Sequence, residues 1–515
     1  MKLFRSHVVI ASAVAVSCLA GCRVGPTYQR PPAVAQAPPV SYKESPQNFP
    51  GSDAWKVAEP QDAMLRGKWW EIFNDPELSG LEDKVEIDNQ NIKIAFENFM
   101  AARAVVAQAR SQLFPTVGFN PSFQESRSSA NNATSASRSS GTTTTTTVVP
   151  ANRTNGQYSL PFDISWEADL WGRIRNSIHE QQYAAQVSAA DLENVRLIQQ
   201  ANLAAFFFQL RGQDALLGLL NETISEYQKA LEYTRAQYET GVGTQISVVE
   251  AQTSLQNAQA AATNVGVARS QYEHAIAVLI GANPSTFSIP VRALDHVPPA
   301  IPLGVPSQLL ERRPDIAAAE RTMAQANAAI GVADAAFYPT LTLGGTAGLS
   351  SSSFKHLFDW SSRVWSVGPS VSETIYDGGL RRATVRQFTA IYNGDVANYR
   401  QTVLTAFQQV EDYLAAVRIL SQQIQQQEQA IASARQFVDL ELARYQTGID
   451  PYVDVITAQN TLLSGQQTIT NLRTQVMTAS VQLIVALGGG WDSTQLPSPA
   501  QVSQKPTAAQ TAIQR

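Results

Sequence analysis

Few residues of this chain have the types and spacing that chemistry requires, and two aspartates in one short stretch are the clearest of them. The stretch runs from Tyr445 to Leu462 and reads YQTGIDPYVDVITAQNTL. Asp450 and Asp454 lie at its turn, and carboxylates that line a pore hold cations and repel anions. Two structural alternatives stay open: Asp450 as the N-cap of a helix, and Asp454 as an acid that complements the dipole of a first helical turn.

No pattern of catalytic residues accompanies these acids. The five histidines are scattered, and none is spaced four positions from a second metal ligand. Since there is neither a glycine-rich phosphate loop nor a nucleophile elbow, we expect no enzymatic activity, no metal ion and no cofactor apart from a covalent lipid. The net charge of −5 and the 16% of charged residues give no support for a nucleic-acid partner.

The aspartate stretch has a counterpart earlier in the chain. Tyr238 to Leu255 reads YETGVGTQISVVEAQTSL, 207 positions before the second copy. We interpret the two as copies of one duplicated half of the chain. Each copy predicts a turn between two helices, because the Thr-Gly pair suits a helix C-terminus, where glycine adopts the left-handed conformation.

The N-terminus predicts export and lipidation. Residues 1–21 combine a basic start, the apolar run Val8–Leu19 and the tripeptide Leu-Ala-Gly directly before Cys22. This pattern predicts a lipoprotein signal peptide, with palmitate-bearing lipid on Cys22; an ordinary secretory signal followed by a chance cysteine is the alternative. Arg23 favours sorting to the outer membrane. Residues 22–60 hold many prolines and predict an extended tether.

Period-2 alternation predicts four strands, in hairpins at 115–170 and 339–376. Each run has about ten residues or more, the length with which a tilted strand spans a bilayer. No stretch has the length of a transmembrane helix, so crossing a membrane would require a closed barrel. The alternative is the edge of a soluble β-sandwich. Residues 126–156, between the first two strands, predict a mobile low-complexity loop.

Helices account for most of the remaining chain. A first helix is predicted from Asp75-Pro76 to Phe114. Very long helices are predicted next, because no proline interrupts residues 162–283 or 370–450. In the second of these segments, apolar residues recur with the 3.5-residue period of a coiled-coil seam. The seam consists of Val396, Tyr399, Val403, Phe407, Val410, Leu414 and Val417.

These elements predict an α+β membrane protein with an internal two-fold sequence repeat. The predicted segments are a signal peptide at 1–21, a tether at 22–60, a first repeat at 61–283, a linker at 284–314, a second repeat at 315–490 and a disordered tail at 491–515. Four strands cannot close a membrane barrel, since closed barrels need about eight or more. Two copies would supply eight strands, and three would supply twelve, enough for a water-filled lumen. Polar residues on the inner-facing side of the strands favour a water-filled lumen, and the helices of each copy would continue the barrel as a helical cylinder in the periplasm.

Three motifs carry a family resemblance. They are Trp69-Trp70 with Phe73 and Asp75, the segment PSQLLERRPDI at 306–316, and the two Tyr-x-Thr-Gly…Ala-Gln turns. With these motifs the chain resembles the outer membrane efflux family of the TolC and OprM type, over about residues 60–490, and especially its lipidated members. The resemblance implies a homotrimer. Its predicted fold is a trimeric twelve-stranded β-barrel with four strands per protomer, continued by a long periplasmic α-helical barrel of twelve helices. It also implies two partners, a periplasmic adaptor (membrane fusion) protein and an inner-membrane pump of the RND type.

The resemblance further implies a periplasmic gate at the second turn, where relatives have rings of acidic and apolar residues. Asp454 matches an acidic position and Val453 the neighbouring apolar one. Thr457 stands where some relatives carry a second aspartate, and Asp450 is an additional acid beside the turn. We expect these four residues to form the gate or selectivity ring.

The predicted function is the outer-membrane channel of a tripartite efflux system. It would be a passive duct that exports drugs and toxic small molecules and so confers antibiotic resistance. The same duct serving type I protein secretion or metal-ion efflux is one alternative. A lipid-tethered helical scaffold without a pore is an alternative of another class.

Overall fold

The computed structural model describes residues 23–33, 41–44, 67–127, 129, 133–140, 143–150, 154–294, 299, 301 and 308–504. Cys22 and the predicted signal peptide lie outside these residues, as does the last part of the predicted tail. The chain divides into two compact units. The strand unit comprises Met1–Gln29, Ala104–Gln182 and Ala324–Asn393, and the helix unit comprises Arg30–Arg103, Tyr183–Met323 and Gly394–Arg515.

The helices dominate the described chain. Those longer than four residues are α1 (Pro76–Asp88), α2 (Gln90–Ser111), α3 (Arg173–Glu239), α4 (Gln245–Leu279), α5 (Pro314–Ala335), α6 (Leu380–Gln446) and α7 (Tyr452–Ala486). α3 and α6 have 67 residues each, and α4 and α7 have 35 each. Both pairs begin 207 positions apart, the same interval that separates the two copies of the turn.

The coiled-coil seam that was predicted in α6 is largely buried. Tyr399, Val403, Val410, Leu414 and Val417 are all buried, because a stripe of this period turns one side of the helix toward neighbouring helices. Among the described helices, none has the combination of length and apolar composition that crossing a membrane would require.

The predicted first helix is wrong in one respect, since it is two helices. α1 ends at Asp88 and α2 begins at Gln90. Asn89 between them has an extended backbone, and its side chain accepts hydrogen bonds from Asn91 N and Ile92 N at 2.9 and 3.1 Å. An asparagine that caps a new helix in this way competes with continuation of the old one. Asp75 caps α1, because its side chain accepts hydrogen bonds from the backbone N–H groups of Glu77 and Leu78.

Among the described residues, seven strands lie in the strand unit. They are β1 (Thr116–Phe119), β2 (Ser122–Arg127), β3 (Ala133–Ser140), β4 (Thr143–Pro150), β5 (Thr154–Ala168), β6 (Thr340–Ser351) and β7 (Arg363–Ser372). The larger sheet has the order β1-β5-β6-β7, and β2 also pairs with β5. β1 and β2 are therefore two pieces of one strand position. The break falls at Asn120 and Pro121, where proline cannot donate a ladder hydrogen bond.

The predicted mobile loop at 126–156 contains a second sheet instead. β3 and β4 pair antiparallel, with Ala133 opposite Pro150. The segment is rich in serine and threonine, and the β-branched threonine side chain favours extended strands. The described residues of this segment therefore correct the loop prediction.

The larger sheet exposes apolar side chains on one face and makes polar contacts on the other. On the apolar face, Val117 is 66% exposed, and the rings of Phe119 and Phe162 stack with their centroids 4.7 Å apart. On the polar face, Asp163 accepts hydrogen bonds from Thr346 Oγ1 at 2.8 Å and from a neighbouring asparagine amide. The alternation that predicted these strands is thus an alternation between two chemically different faces.

The described parts of the predicted tether are attached to the fold. In the strand unit, Asn176 Nδ2 donates to Val24 O at 2.9 Å. In the helix unit, the backbone N–H groups of Lys43 and Glu44 donate to the two carboxylate oxygens of Glu411 at 2.7 and 2.9 Å. Hydrogen bonds therefore hold both described stretches of this segment.

Candidate functional site

The candidate site is the second turn, which joins α6 to α7 in the helix unit. Gly448 has φ +75°, the left-handed conformation that ends many helices. Its N–H donates to Tyr445 O at 2.9 Å, and Ile449 N donates to Arg444 O at 3.0 Å. These bonds close the end of α6 and bring Asp450 beside Arg444.

Asp450 forms a bidentate ion pair with Arg444 and does not cap a helix. Arg444 Nη2 donates to one carboxylate oxygen at 2.9 Å, and Arg444 Nε donates to the other. The Arg444 guanidinium thereby lowers the pKa of the Asp450 carboxyl below its ordinary value. The N-cap position of α7 is Pro451, and no side chain caps that helix end. Asp450 is therefore a charge-paired residue at the tip, and the N-cap alternative is not what the structure shows.

Asp454 belongs to a cluster of three carboxylates. One oxygen each of Glu441, Asp450 and Asp454 lies within 4.8 Å of the other two. Asp454 sits in the first turn of α7, where the helix dipole favours an acid, and it forms no ion pair with a described residue. Since three carboxylates face one guanidinium, the cluster stays negatively charged and can attract cations.

The other two predicted site residues lie on α7 near this cluster. Val453 is 44% exposed. Thr457 Oγ1 donates to Val453 O at 2.9 Å, so its hydroxyl hydrogen is used within its own helix. The structure thus brings Asp450 and Asp454 together and leaves Val453 exposed beside them. Thr457 adds no charge.

The sequence prediction missed Glu441 and Arg444. A signal was present, because residues three apart on a helix are neighbours on its surface, and these two are an acid and a base at that spacing. Periodicity could not predict that Glu441 and Arg444 both lie close to Asp450. That proximity depends on how the turn reverses the direction of the chain.

Tyrosines connect the second turn to α3. Tyr445 Oη donates to Gln237 Oε1 at 2.6 Å, and the Tyr445 ring lies 5.1 Å from that of Tyr452 between centroids. Tyr452 belongs to a buried apolar cluster that also contains Tyr227 and Val455. Burial raises the pKa of Tyr452 to about 12. The helices on either side of the turn are therefore held against α3 by a packed aromatic cluster and by direct hydrogen bonds.

A cavity of about 650 Å³ lies between α3, α6 and α7 next to this cluster. Tyr233, Tyr445 and Tyr452 line it together with carboxylates of α3. Burial raises the pKa of Glu226, and the neighbouring Glu222 raises it further. α3, α6 and α7 therefore leave a space between them beside the aromatic cluster.

Among the described residues, the first turn, between α3 and α4, has no such charge cluster. Thr244 Oγ1 accepts from Ser247 N at 3.2 Å and caps α4. Val242 is 79% exposed and Ile246 is 70% exposed. This tip therefore offers apolar side chains where the second turn offers carboxylates.

A family model described as outer membrane efflux protein matches residues 83–282 and 305–489 of this chain. The matched ranges contain the C-terminal part of α1 and all of α2 to α4, the larger sheet, and α5 to α7. They therefore include both turns and the acidic cluster.

Two relatives and one solved structure show how far the similarity extends. The chain is 31% identical over 488 residues to the toluene efflux pump outer membrane protein TtgC of Pseudomonas putida, a match that covers 94% of this chain and 96% of that protein. It is also 31% identical over 488 residues to the antibiotic efflux pump outer membrane protein ArpC of Pseudomonas putida, with the same coverage. The solved outer-membrane channel OprN superimposes with a TM-score of 0.77 at 26% identity, covering 91% of this chain and 100% of that one.

Proposed function

This chain belongs to the outer membrane efflux protein family, and from that premise we propose that it forms the duct of a tripartite efflux system. The duct is passive and carries drugs and other toxic small molecules to the exterior. The two relatives above are named for toluene and antibiotics. Energy for transport comes from an inner-membrane pump of the RND type, which a periplasmic adaptor joins to this chain.

The larger sheet is the observation that carries the proposal. Its apolar face is exposed, and its outer positions, the β1–β2 position and β7, have no further strand beside them among the described residues. Strand edges in lipid must be paired, because unsatisfied backbone groups there cost several kcal/mol each. Three copies that join edge to edge supply twelve strands, enough to enclose a water-filled lumen. The polar face around Asp163 and Thr346 then faces that water.

Lipid on Cys22 gives each copy a second attachment to the outer membrane. The proposal rests on the Leu-Ala-Gly-Cys sequence at residues 19–22. Substitution Cys22→Ser should remove the mass of the lipid from the purified protein. It should leave the channel current intact, since the pore residues are elsewhere.

The acidic cluster at the second turn is the proposed gate. Asp454 has no ion-pair partner among the described residues, so in a trimer it becomes the charged ring. Asp450 is compensated by Arg444 and acts as a brace of the turn. Val453 contributes the apolar ring next to it, and Thr457 replaces a second acid with a neutral side chain.

Planar bilayers test the duct directly. The purified full-length protein should give stepwise single-channel currents that are selective for cations, because the gate and the inner wall carry carboxylates. A protein that binds the bilayer and gives no conductance would be a tethered scaffold, and the duct proposal would then be wrong.

A cellular experiment tests the cargo. Deletion of the gene should increase susceptibility to solvents and to several antibiotics, and the full-length chain should restore resistance. If susceptibility changes only toward metal ions, or if only the secretion of a protein is lost, the corresponding alternative duct function replaces this one.

A further inference from the structure

The cavity between α3, α6 and α7 has the volume of a small-molecule binding site. Its volume of about 650 Å³ falls within the roughly 300–1,000 Å³ that such sites usually occupy. All three helices contribute lining residues, and these residues belong to the helix unit. None of the four predicted gate residues is among them. The cavity is therefore a feature distinct from the proposed gate.

Tyrosine rings form an aromatic wall of this cavity, one from each helix. The ring centroids of Tyr233 and Tyr445 are 6.5 Å apart, and those of Tyr445 and Tyr452 are 5.1 Å apart. Tyr233 is 45% exposed and Tyr452 is 4% exposed, so the wall extends from solvent to the buried aromatic cluster. The face of a tyrosine ring attracts cations, because it carries the negative part of the ring quadrupole. The wall therefore suits a ligand that is both apolar and positively charged.

Charged side chains line the cavity on the side that faces solvent. They are the carboxylates of Glu222, Glu226 and Asp439 and the cations of Lys229 and Arg435. All five residues are exposed, so a ligand in solution can reach their charged groups. Three carboxylates and two cations leave a formal charge of −1. A ligand with one positive charge would neutralise it.

The two glutamates of α3 repel each other in the absence of a ligand. Glu222 and Glu226 are four positions apart, so they are neighbours on the helix surface, where like charges are unfavourable. Burial raises the pKa of Glu226, and the negative charge of Glu222 raises it further. Among the described residues, neither glutamate forms an ion pair. A cation bound in the cavity would relieve this repulsion, whereas an anion would add to it.

The sequence repeat does not duplicate this arrangement. The first copy has Gln245 at the position of Tyr452, 207 residues earlier. A cavity of about 300 Å³ at the first turn is lined, among the described residues, by Gln245, Ile246, Val249 and Glu250, none of which has an aromatic ring. The combination of aromatic rings and unpaired carboxylates around one cavity therefore belongs to the second turn.

We propose that this cavity binds an organic cation with an aromatic or other apolar body. The apolar body lies against the rings of Tyr233, Tyr445 and Tyr452, and the positive charge lies near Glu222 and Glu226. The bound molecule contacts α3 and both helices of the second turn, so its binding holds these three helices together. The inference goes beyond the proposed duct, because occupation of the site requires no passage through a pore.

The test is a fluorescence titration of the purified full-length protein in detergent with ethidium, a planar aromatic cation; detergent micelles alone are the blank. Ethidium should bind saturably. Tyr233→Leu should weaken this binding by about threefold to fivefold, because it removes a ring that attracts the cation. Tyr238→Leu is the matched control, since Tyr238 lies on the same helix, is exposed to a similar extent at 48% and does not line the cavity. It should keep the wild-type affinity.

Charge variants test the electrostatic part of the proposal. Glu226→Gln should weaken ethidium binding by about threefold, since it removes one negative charge from the cavity. Glu232→Gln changes an exposed glutamate of α3 that does not line the cavity, and it should leave the affinity unchanged. Lys229→Gln should strengthen binding by about twofold, because Lys229 is a cation that acts on Glu226. A gain in affinity cannot result from misfolding, so this variant decides the matter if another variant does not fold.

Three results would overturn the proposal. One is the absence of saturable ethidium binding to the wild-type protein beyond that of micelles alone. Another is equal affinity of the wild type and of the Tyr233, Glu226 and Lys229 variants. The third is tight binding of an anionic naphthalenesulfonate dye that Glu226→Gln strengthens, which would identify an anion site. Conductance tests the duct separately, since the duct proposal survives a failure of ethidium to bind, and the cation site survives an absence of conductance.

Discussion

Val242 N donates to Gln237 O at 2.9 Å in the first turn, and Ile449 N donates to Arg444 O at 3.0 Å in the second. These pairs occupy the same positions in the two copies, 207 residues apart. Both turns also place a glycine in the left-handed conformation, with φ of +78° and +75°. The two turns therefore have the same backbone conformation, which the local Thr-Gly sequence favours.

The side chains on this common backbone differ in charge. Gln237 and Gly243 of the first copy stand where the second copy has Arg444 and Asp450, so the first turn cannot form the ion pair. Ser247 likewise stands where the second copy has Asp454. The comparison teaches that the turn and the gate are separable: one is a property of the backbone, and the other comes from a few substitutions on it.

The largest expected effect tests the shared backbone. Gly241→Ala and Gly448→Ala should each lower the free energy of unfolding by about 1–2 kcal/mol, since a Cβ is unfavourable at positive φ. Open space surrounds both positions, so sterics with other residues should not add to this cost. Gly266→Ala, within α4 and also in open space, is the control and should stabilise the protein by about 0.5–1 kcal/mol. Denaturant unfolding measures the free energy of unfolding of all three variants. Clearly unequal decreases for Gly241→Ala and Gly448→Ala would contradict the conclusion that the two turns have the same backbone conformation.

The next effect concerns the tyrosines that precede the two glycines. Tyr445→Phe removes the hydrogen bond to Gln237 and should cost about 1 kcal/mol. Tyr238→Phe at the equivalent position should cost close to nothing, because its ring is 48% exposed and no described residue bonds its hydroxyl. Hydrogen exchange of the turn amides would report the difference, and equal effects would show that the bond does not hold the second tip.

A smaller effect is expected on ion selectivity. Asp454→Ala should lower the ratio of cation to anion permeability by roughly twofold, since it removes one acidic ring. Ser247→Ala, the matched change in the first copy, should leave the ratio unchanged. Reversal potentials in planar bilayers under a salt gradient measure both variants. An unchanged permeability ratio for Asp454→Ala would contradict the proposal that the gate lies at the second turn.

The smallest effect is a pH dependence confined to the second turn. Arg444 lowers the pKa of Asp450, so the ion pair stabilises the turn above the ordinary aspartate pKa of about 3.9 and loses this contribution as the pH falls through the lowered value. Exchange protection at Gly448 and Ile449 should persist from pH 7 to about pH 4 and decline below it. The first turn should not change in this way, and Asp450→Asn should abolish the difference. Parallel behaviour of both turns would contradict the assignment.

Much of the secondary structure could be predicted from the sequence. The absence of proline and the 3.5-residue seam predicted α6, and the seam residues Tyr399 and Val403 are buried as expected. Alternation predicted the strand positions of the larger sheet, because each strand separates an apolar from a polar face. Local signals failed where two of them competed, as at Asn89, whose capping side chain ends one helix and starts the next.

By itself, the sequence determined the local backbone: the left-handed turns, the long helices, the alternating strands and the family motifs. These depend on neighbours within a few positions along the chain, which pattern analysis can see. Only the tertiary structure decided which charges meet, because Glu441 and Arg444 reach Asp450 through the reversal of the chain. It also decided that the Tyr445 hydroxyl meets Gln237, a residue 208 positions earlier in the chain. Contacts of this kind depend on packing between segments that are distant in the chain, so periodicity in the sequence does not predict them.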